Sequence, residues 1–213
     1  MKVSIEWLRD YVDFDLSAEE LAARLTMAGI EVEGVEFHGS DSVLELETLS
    51  NRPDHLGHIG VAREVAWMCG KPLRLPAAKL NTISDVGGRS LSELVSLHVE
   101  DEERCPRYTA RLIVDVKVQE SPEWLKKRLQ AMGLKPINNV VDLSNYVLFE
   151  YGQPLHAFDY DRLEGGTLLV RRAAQGEEFY AIADERKYSL DREDLVIADA
   201  SRPVALAGIM GGI

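Results

Sequence analysis

The sequence predicts an α+β fold, and three observations support this prediction. Hydrophobic residues make up 46% of the chain and charged residues 28%, as in ordinary globular domains. Segments with apolar residues at helical spacing occur between short segments in which apolar and polar residues alternate. Runs of strand pattern, then helix pattern, then strand pattern favour helices packed against a mixed sheet.

Changes of pattern along the chain predict two domains. Residues 1–75 form a small N-terminal α+β domain, and residues 93–213 form a larger domain of mixed sheet and helices. Residues 76–92 have weak periodicity and contain the pair Gly87-Gly88, as expected of a linker.

The first domain carries local signals for its elements. Ser17 and Glu20 have the spacing of a capping box at a helix start, and Gly29 is suited to end that helix. Residues 30–35 and 43–47 have the pattern of two strands.

A turn at Asn51-Arg52-Pro53-Asp54 leads into a further helix that Gly70 ends. Gly57 and Gly60 lie one turn apart in this segment, and each glycine costs a helix about 1 kcal/mol relative to alanine. We therefore expect close packing of another element against them.

The second domain begins with two predicted half-buried strands, over residues 95–99 and 110–116. Ser121 as N-cap and Pro122 as first residue open a helix, and Asn139 is suited to cap the next one. Four further strands are predicted over residues 167–170, 178–182, 195–198 and 204–207.

Composition restricts the classes of function. A net charge of −12 counts against nucleic-acid binding through the overall field, and we interpret Lys126-Lys127-Arg128 and Arg171-Arg172 as solvated faces. Because no apolar run approaches about 20 residues and the N-terminus lacks a signal peptide, we expect a cytoplasmic protein without membrane contact. Cys69 and Cys105 are interpreted as buried thiols.

Polar residues interrupt the apolar pattern over residues 136–159. Ser144 and Asn145 lie in an otherwise apolar helix, and a buried amide must be paired. In one interpretation Asn145 ties the helix to a loop containing Gln153 and His156. In the other, Ser144, Asn145 and His156 border a pocket for a polar ligand, and His156 titrates near neutrality.

Metal binding is the least favoured hypothesis. His55 and His58 are three residues apart, which suits a shared metal and a metal-dependent hydrolase. No third ligand lies at a suggestive spacing, so we expect no metal site.

Six segments occur in the same order as in the β subunit of bacterial phenylalanyl-tRNA synthetase: MKVSIEWLRDYV, LTMAGIEVEGVE, NRPDHLGHIGVAREVAWM, CPRYTAR, PINNVVDLSNYVLFEYGQPLHAFD and LAGIMGG. The chain resembles this family over almost its whole length. The resemblance implies that residues 1–75 correspond to the B1 domain and residues 93–213 to the B3/B4 editing domain.

Two departures from the family pattern are expected. The OB-fold that the family usually inserts in the first domain is missing, since residues 35–41 run directly into the second strand. The acidic residue that senses the tyrosine hydroxyl in the family has no counterpart here, so we expect an N-terminal piece of a longer polypeptide, truncated in its editing domain and weakly active alone.

The resemblance also implies a function. The family attaches phenylalanine to its tRNA with ATP and Mg²⁺ in the α subunit, so this chain itself needs no cofactor. Its own role would be hydrolysis of mischarged tyrosyl-tRNA by His156, Asn145 and Ser144, with Ala207 and Gly208 forming a substrate-binding wall. The implied partners are the α subunit and phenylalanine tRNA in an α2β2 heterotetramer, without DNA. The alternative is a non-catalytic scaffold and subunit-interface module of the same synthetase.

Overall fold

The computed structural model describes residues 1–212 and confirms the α+β fold class. The helices are α1 (Ile5–Leu8), α2 (Ala18–Met27), α3 (His58–Cys69), α4 (Leu91–Leu94), α5 (Glu123–Ala131) and α6 (Asn139–Tyr151). The strands are β1 (Lys2–Ser4), β2 (Val32–His38), β3 (Asp41–Leu46), β4 (Ser96–Val99), β5 (Thr167–Arg172), β6 (Glu178–Tyr180), β7 (Lys187–Ser189), β8 (Leu195–Ala198), β9 (Pro203–Leu206) and β10 (Met210–Gly211). Short 3₁₀ helices span Pro53–Leu56, Tyr160–Arg162 and Glu164–Gly166.

The chain folds into two compact units. The first combines Met1–Lys79 with Lys117–Ala157, and the second combines Leu80–Val116 with the segment that begins at Phe158. The contacts therefore group the residues differently from the division expected at residues 75 and 93. The physical reason is that α5 and α6 complete the core of the first unit.

The first unit is built on an antiparallel sheet in the order β1-β3-β2. Its core contains buried residues from β1, β3 and the helices α1, α2 and α3, together with Ala131 and Met132 at the end of α5. Leu125 and Leu129, predicted to form the apolar face of α5, are both buried. The end of α5 thus contributes to the same core as the sheet.

The residue that begins α2 was predicted correctly, whereas the predicted N-caps of α5 and α6 need correction. The capping box of Ser17 and Glu20 is present at the start of α2. The N-cap of α6 is Asn138 rather than Asn139, because the Asn138 side chain accepts from the Val140 and Val141 amides. Ser121 does not cap α5, since its hydroxyl donates to Asp142 instead.

Strands β2 and β3 form a hairpin whose turn is Gly39-Ser40, between the paired residues His38 and Asp41. Gly39 has a φ of 62°, a left-handed conformation that glycine adopts without steric cost. Two residues are therefore enough to join β2 to β3.

The expected close packing at the two glycines is confirmed. A Cβ on Gly60 would lie 1.8 Å from the Asp54 carbonyl oxygen, and one on Gly57 would lie 2.6 Å from the Gly152 amide nitrogen. The 3₁₀ turn and the end of α6 therefore approach α3 at backbone distance.

The second unit contains a five-stranded sheet in the order β10-β9-β8-β5-β4, with β4 parallel to β5 and the other pairs antiparallel. Strands β6 and β7 form a separate hairpin. The predicted strand over residues 110–116 is wrong: this segment has no regular structure, and Asp115 has a φ of 58° that breaks extended pairing.

The structure bears on two expectations from composition, the burial of the cysteines and the lack of a membrane-spanning helix. Cys69 and Cys105 are partly exposed rather than buried. No helix in residues 1–212 has both the length and the apolar character needed to cross a membrane.

Candidate functional site

A cavity of about 250 Å³ opens in the second unit. The predicted substrate-binding residues Ala207 and Gly208 both line it. The other lining residues are Arg104, Cys105, Tyr108, Val170, Leu195 and Ile197. These two neighbouring residues of the closing LAGIMGG segment are the ones that were expected to contact a ligand.

The sheet supplies the apolar part of this cavity. Val170 of β5 pairs with Ile197 of β8, so the two side chains are neighbours on one face. The Ala207 amide donates to the Leu195 carbonyl at 2.9 Å, which ties the end of β9 to β8. Gly208 then turns the chain into β10 with a φ of 73°. Backbone rather than bulky side chain thus forms this wall.

The polar part comes from the segment that follows β4. Burial raises the pKa of the Tyr108 phenol, so this group is a protonated hydrogen-bond donor at neutral pH. Arg104 is anchored by the Glu193 carboxylate and carbonyl. Arg104, Cys105 and Tyr108 were not predicted as site residues, although the run of thiol, guanidinium and phenol groups in CPRYTAR was a signal.

Ser144 and Asn145 lie on α6 in the first unit, where both are half-buried. The Ser144 hydroxyl donates to the Val141 carbonyl at 2.6 Å. Its proton is therefore committed to the helix backbone, and its oxygen is left as a hydrogen-bond acceptor.

The fully buried positions of α6 are carboxylates, which sequence reasoning missed. Asp142 accepts from the Ser121 hydroxyl at 2.5 Å and from the Ile137 amide at 2.9 Å. Glu150 accepts from the Tyr11 phenol at 2.5 Å and from the Tyr146 phenol at 3.0 Å. These partners satisfy the buried charges, so the two carboxylates have structural roles.

His156 is exposed after the end of α6, yet partial desolvation lowers the pKa of its imidazole. The neutral form therefore predominates at pH 7, and it can accept a hydrogen bond from water. Nearby, the Gln153 amide donates to the Pro154 carbonyl at 3.3 Å.

The hypothesis that His55 and His58 share a metal ion is wrong. The Ser4 amide donates to Nε2 of His58 at 3.0 Å, and His58 Nδ1 donates to the Phe149 carbonyl at 2.7 Å. Both ring nitrogens are used, so His58 has no lone pair for a metal and the His55–His58 hydrolase hypothesis fails.

The two basic clusters are paired with acidic residues. Lys126 lies 2.5 Å from Glu120, and Arg171 lies 2.7 Å from Glu177. Arg128 also pairs with a carboxylate, that of Asp10, and packs over the Trp7 ring. The clusters were interpreted as solvated faces, and these ion pairs leave little uncompensated positive charge for phosphates.

Comparison with known families identifies a domain in the second half of the chain. The B3/4 domain family model matches residues 104–213. All eight residues that line the cavity fall within this range.

Two curated relatives are named phenylalanine–tRNA ligase beta subunit. The protein from Rhodopirellula baltica is 46% identical over 212 residues, which cover 100% of this chain and 30% of that protein. The protein from Moorella thermoacetica is 49% identical over 173 residues, covering 81% of this chain and 21% of that protein. The chain thus matches less than a third of either relative's length.

One solved structure supports the fold. The crystal structure of an N-terminal fragment of the phenylalanyl-tRNA synthetase beta-subunit from Pyrococcus horikoshii matches with a TM-score of 0.52 and 16% identity. The match covers 100% of this chain and 62% of that chain.

Proposed function

The chain belongs to the B3/4 domain family, and from this membership we propose that it is part of a phenylalanine–tRNA ligase β subunit that edits mischarged tRNA. The observation that carries the proposal is the cavity bordered by Ala207 and Gly208 within the matched residues. The proposed reaction is hydrolysis of the ester between tyrosine and the tRNA.

Physical chemistry explains why such an enzyme needs editing. Tyrosine differs from phenylalanine by one hydroxyl, and an apolar synthetic pocket rejects an added hydroxyl only about 100-fold. A second site that offers polar partners to that hydroxyl reverses the preference. It admits tyrosine and discriminates against phenylalanine, because its polar groups stay unpaired when phenylalanine enters.

The cavity suits an amino-acid side chain. Its volume of about 250 Å³ is below the roughly 300–1,000 Å³ of pockets for drug-sized ligands. Val170, Leu195 and Ile197 offer an apolar surface, and the Tyr108 phenol offers a hydrogen bond.

We assign the chemical step to groups that bind water or the ester. The neutral His156 imidazole accepts a hydrogen bond from the attacking water, and the Asn145 amide donates to the ester carbonyl as charge develops. The Ser144 oxygen accepts a hydrogen bond from the substrate. As the water oxygen attacks the ester carbonyl carbon, His156 takes a proton from the water and a tetrahedral intermediate forms. His156 then returns this proton to the ribose oxygen of the tRNA as the carbon–oxygen bond breaks, which releases tyrosine and the tRNA hydroxyl.

The ATP and Mg²⁺ used for aminoacylation belong elsewhere in the complete ligase under this proposal. Among residues 1–212, none of those that line the cavity carries a carboxylate, which is the ligand type that Mg²⁺ prefers. We therefore propose that editing here needs no cofactor.

The proposed partners are the ligase α subunit, in an α2β2 heterotetramer, and phenylalanine tRNA, all in the cytoplasm. The net charge of −12 and the paired basic clusters imply that other parts of the assembly supply most of the phosphate contacts.

The test is deacylation of tyrosyl-tRNA specific for phenylalanine, measured with the complete ligase. We expect His156→Ala and Asn145→Ala each to slow hydrolysis by about 100-fold, with aminoacylation unchanged. His38→Ala, at an exposed histidine on β2, is the matched control and should keep the wild-type rate. Unchanged hydrolysis in both site variants would refute the assignment.

A scaffold and subunit-interface module is the second candidate, and exposed apolar side chains in the first unit favour it. Met27, Phe37 and Trp67 are 88%, 71% and 78% exposed. This candidate predicts that Trp67→Ser weakens assembly with the α subunit. If the complete ligase does not hydrolyse tyrosyl-tRNA, the scaffold role replaces the editing role.

A further inference from the structure

We infer that Asp54, His55 and Glu64 form a binding site for a divalent transition-metal ion such as Zn²⁺ in the first unit. This inference does not depend on the proposed editing function, and it departs from the sequence-based expectation of no metal site. The 3₁₀ helix Pro53–Leu56 supplies two of the ligands, and α3 supplies the third.

The three ligand groups converge. Nε2 of His55 lies 3.5 Å from Oδ2 of Asp54 and 3.7 Å from Oε1 of Glu64. One ligand atom from each residue lies within 4.8 Å of the others. Ligands bound tetrahedrally to Zn²⁺ at about 2.0–2.1 Å are separated by about 3.3 Å, so only a small contraction is needed.

His55 provides independent support for a ligand. The residue is 2% exposed, and its Nε2 atom is buried without a hydrogen-bond partner. A buried polar nitrogen without a hydrogen-bond partner destabilises the folded state. Because this atom faces two carboxylates, a cation bound among the three groups would remove this destabilisation.

In the structure, the Arg52 guanidinium provides the positive charge beside Asp54 and Glu64. This group donates to Asp54 Oδ2 at 2.9 Å and to Glu64 Oε1 at 2.5 Å. Both carboxylates are therefore already oriented toward a cation. The guanidinium donors are directed at the two carboxylates and leave His55 Nε2 without a hydrogen-bond partner.

A metal ion would pair with all three groups. The charges of two carboxylates balance that of a divalent ion, whereas Arg52 leaves the two carboxylates with one net negative charge. The Arg52 side chain is 35% exposed and long enough to move into solvent. The metal thus replaces Arg52 rather than joining it.

The donor set selects the class of metal. Imidazole nitrogen with carboxylate oxygen suits Zn²⁺ and its transition-metal neighbours, whereas Mg²⁺ and Ca²⁺ prefer oxygen alone. Since the ligands come from the 3₁₀ turn and from α3, the bound ion would hold the turn against the helix. Its role would be structural.

The test is calorimetric titration of the metal-free full chain with Zn²⁺, with Mg²⁺ as a comparison. We expect Zn²⁺ to bind at one site and Mg²⁺ not to bind there. Glu64→Gln should weaken Zn²⁺ binding more than about tenfold, and His55→Ala should abolish it. Arg52→Gln should tighten binding about tenfold, because it removes the competing cation.

His38→Ala is the control, because it removes an exposed imidazole elsewhere in the same unit. Loss of Zn²⁺ binding in this variant, or retention in His55→Ala, would overturn the inference. If the His55→Ala variant does not fold, the absorption spectrum of the wild-type protein loaded with Co²⁺ tests the inference instead. Absorption bands of a low-symmetry cobalt site support the inference, and the spectrum of aqueous Co²⁺ refutes it.

Discussion

The Tyr11 hydroxyl donates a 2.5 Å hydrogen bond to the Glu150 carboxylate, which joins two residues 139 positions apart in the sequence. The Tyr11 hydroxyl also accepts from the Trp7 indole at 2.8 Å. Because both partners are buried, this pair fixes the end of α6 within the first unit. It also raises the pKa of Tyr11, chiefly through burial and then through Glu150.

Tyr11→Phe should lower the free energy of unfolding by about 1–3 kcal/mol, since it leaves the buried Trp7 indole N–H without a partner and removes one of the two phenols that donate to Glu150. Urea unfolding of the wild type and variant measures the difference. Tyr151→Phe, at a half-exposed tyrosine of α6, is the control and should change stability by less than about 0.5 kcal/mol. Equal effects of the two variants would contradict this account.

Gly60→Ala should destabilise the first unit by about 1–3 kcal/mol, although alanine favours a helix interior by about 1 kcal/mol. The added Cβ would lie 1.8 Å from the Asp54 carbonyl oxygen, so the turn must move. Thermal unfolding measures the loss. Gly34→Ala is the matched control, because a Cβ there meets no atom within 4 Å. A stabilised Gly60 variant would refute the close packing.

His58 should make stability depend on pH in the acidic range. Burial lowers the pKa of His58 from 6.5 to about 3, so the native state binds fewer protons than the unfolded state between these values. Its stabilising contribution is therefore complete above pH 6.5 and declines as pH falls toward 3. The expected slope approaches 1.4 kcal/mol per pH unit.

Urea unfolding at pH 5 and pH 7 tests this linkage. His58→Gln should reduce the stability difference between the two pH values, because the titrating group is removed. His38→Gln, at an exposed histidine, should leave the difference as in the wild type. An unchanged difference in His58→Gln would show that His58 is not buried in its neutral form.

Sequence patterns were sufficient where the determinant is local. The hydroxyl of Ser17 and the carboxylate of Glu20 bond to backbone within the same helix turn, so their spacing alone predicts the start of α2. The strands β5, β8 and β9 were also found at their predicted places, because each apolar run is short and bounded by turn residues.

Patterns failed where the partner is distant in sequence. The buried positions of Asp142 and Glu150 on α6 were not predicted, because their partners Ser121 and Tyr11 lie far from them in the sequence. His58 was considered as a metal ligand, but both of its ring nitrogens form hydrogen bonds, one with Ser4 and one with Phe149. In the candidate site, Ala207 and Gly208 were anticipated from resemblance, whereas Tyr108 required the three-dimensional cavity.

The most direct test of the central claim is filling the cavity with Ala207→Leu in the complete ligase and measuring deacylation of tyrosyl-tRNA specific for phenylalanine. We predict that hydrolysis falls at least about tenfold while aminoacylation with phenylalanine is unchanged, because the longer side chain occupies the space for tyrosine. Ala183→Leu, at an exposed alanine of the same unit, should have no effect. Wild-type deacylation by Ala207→Leu would contradict the claim that this cavity binds the misattached amino acid.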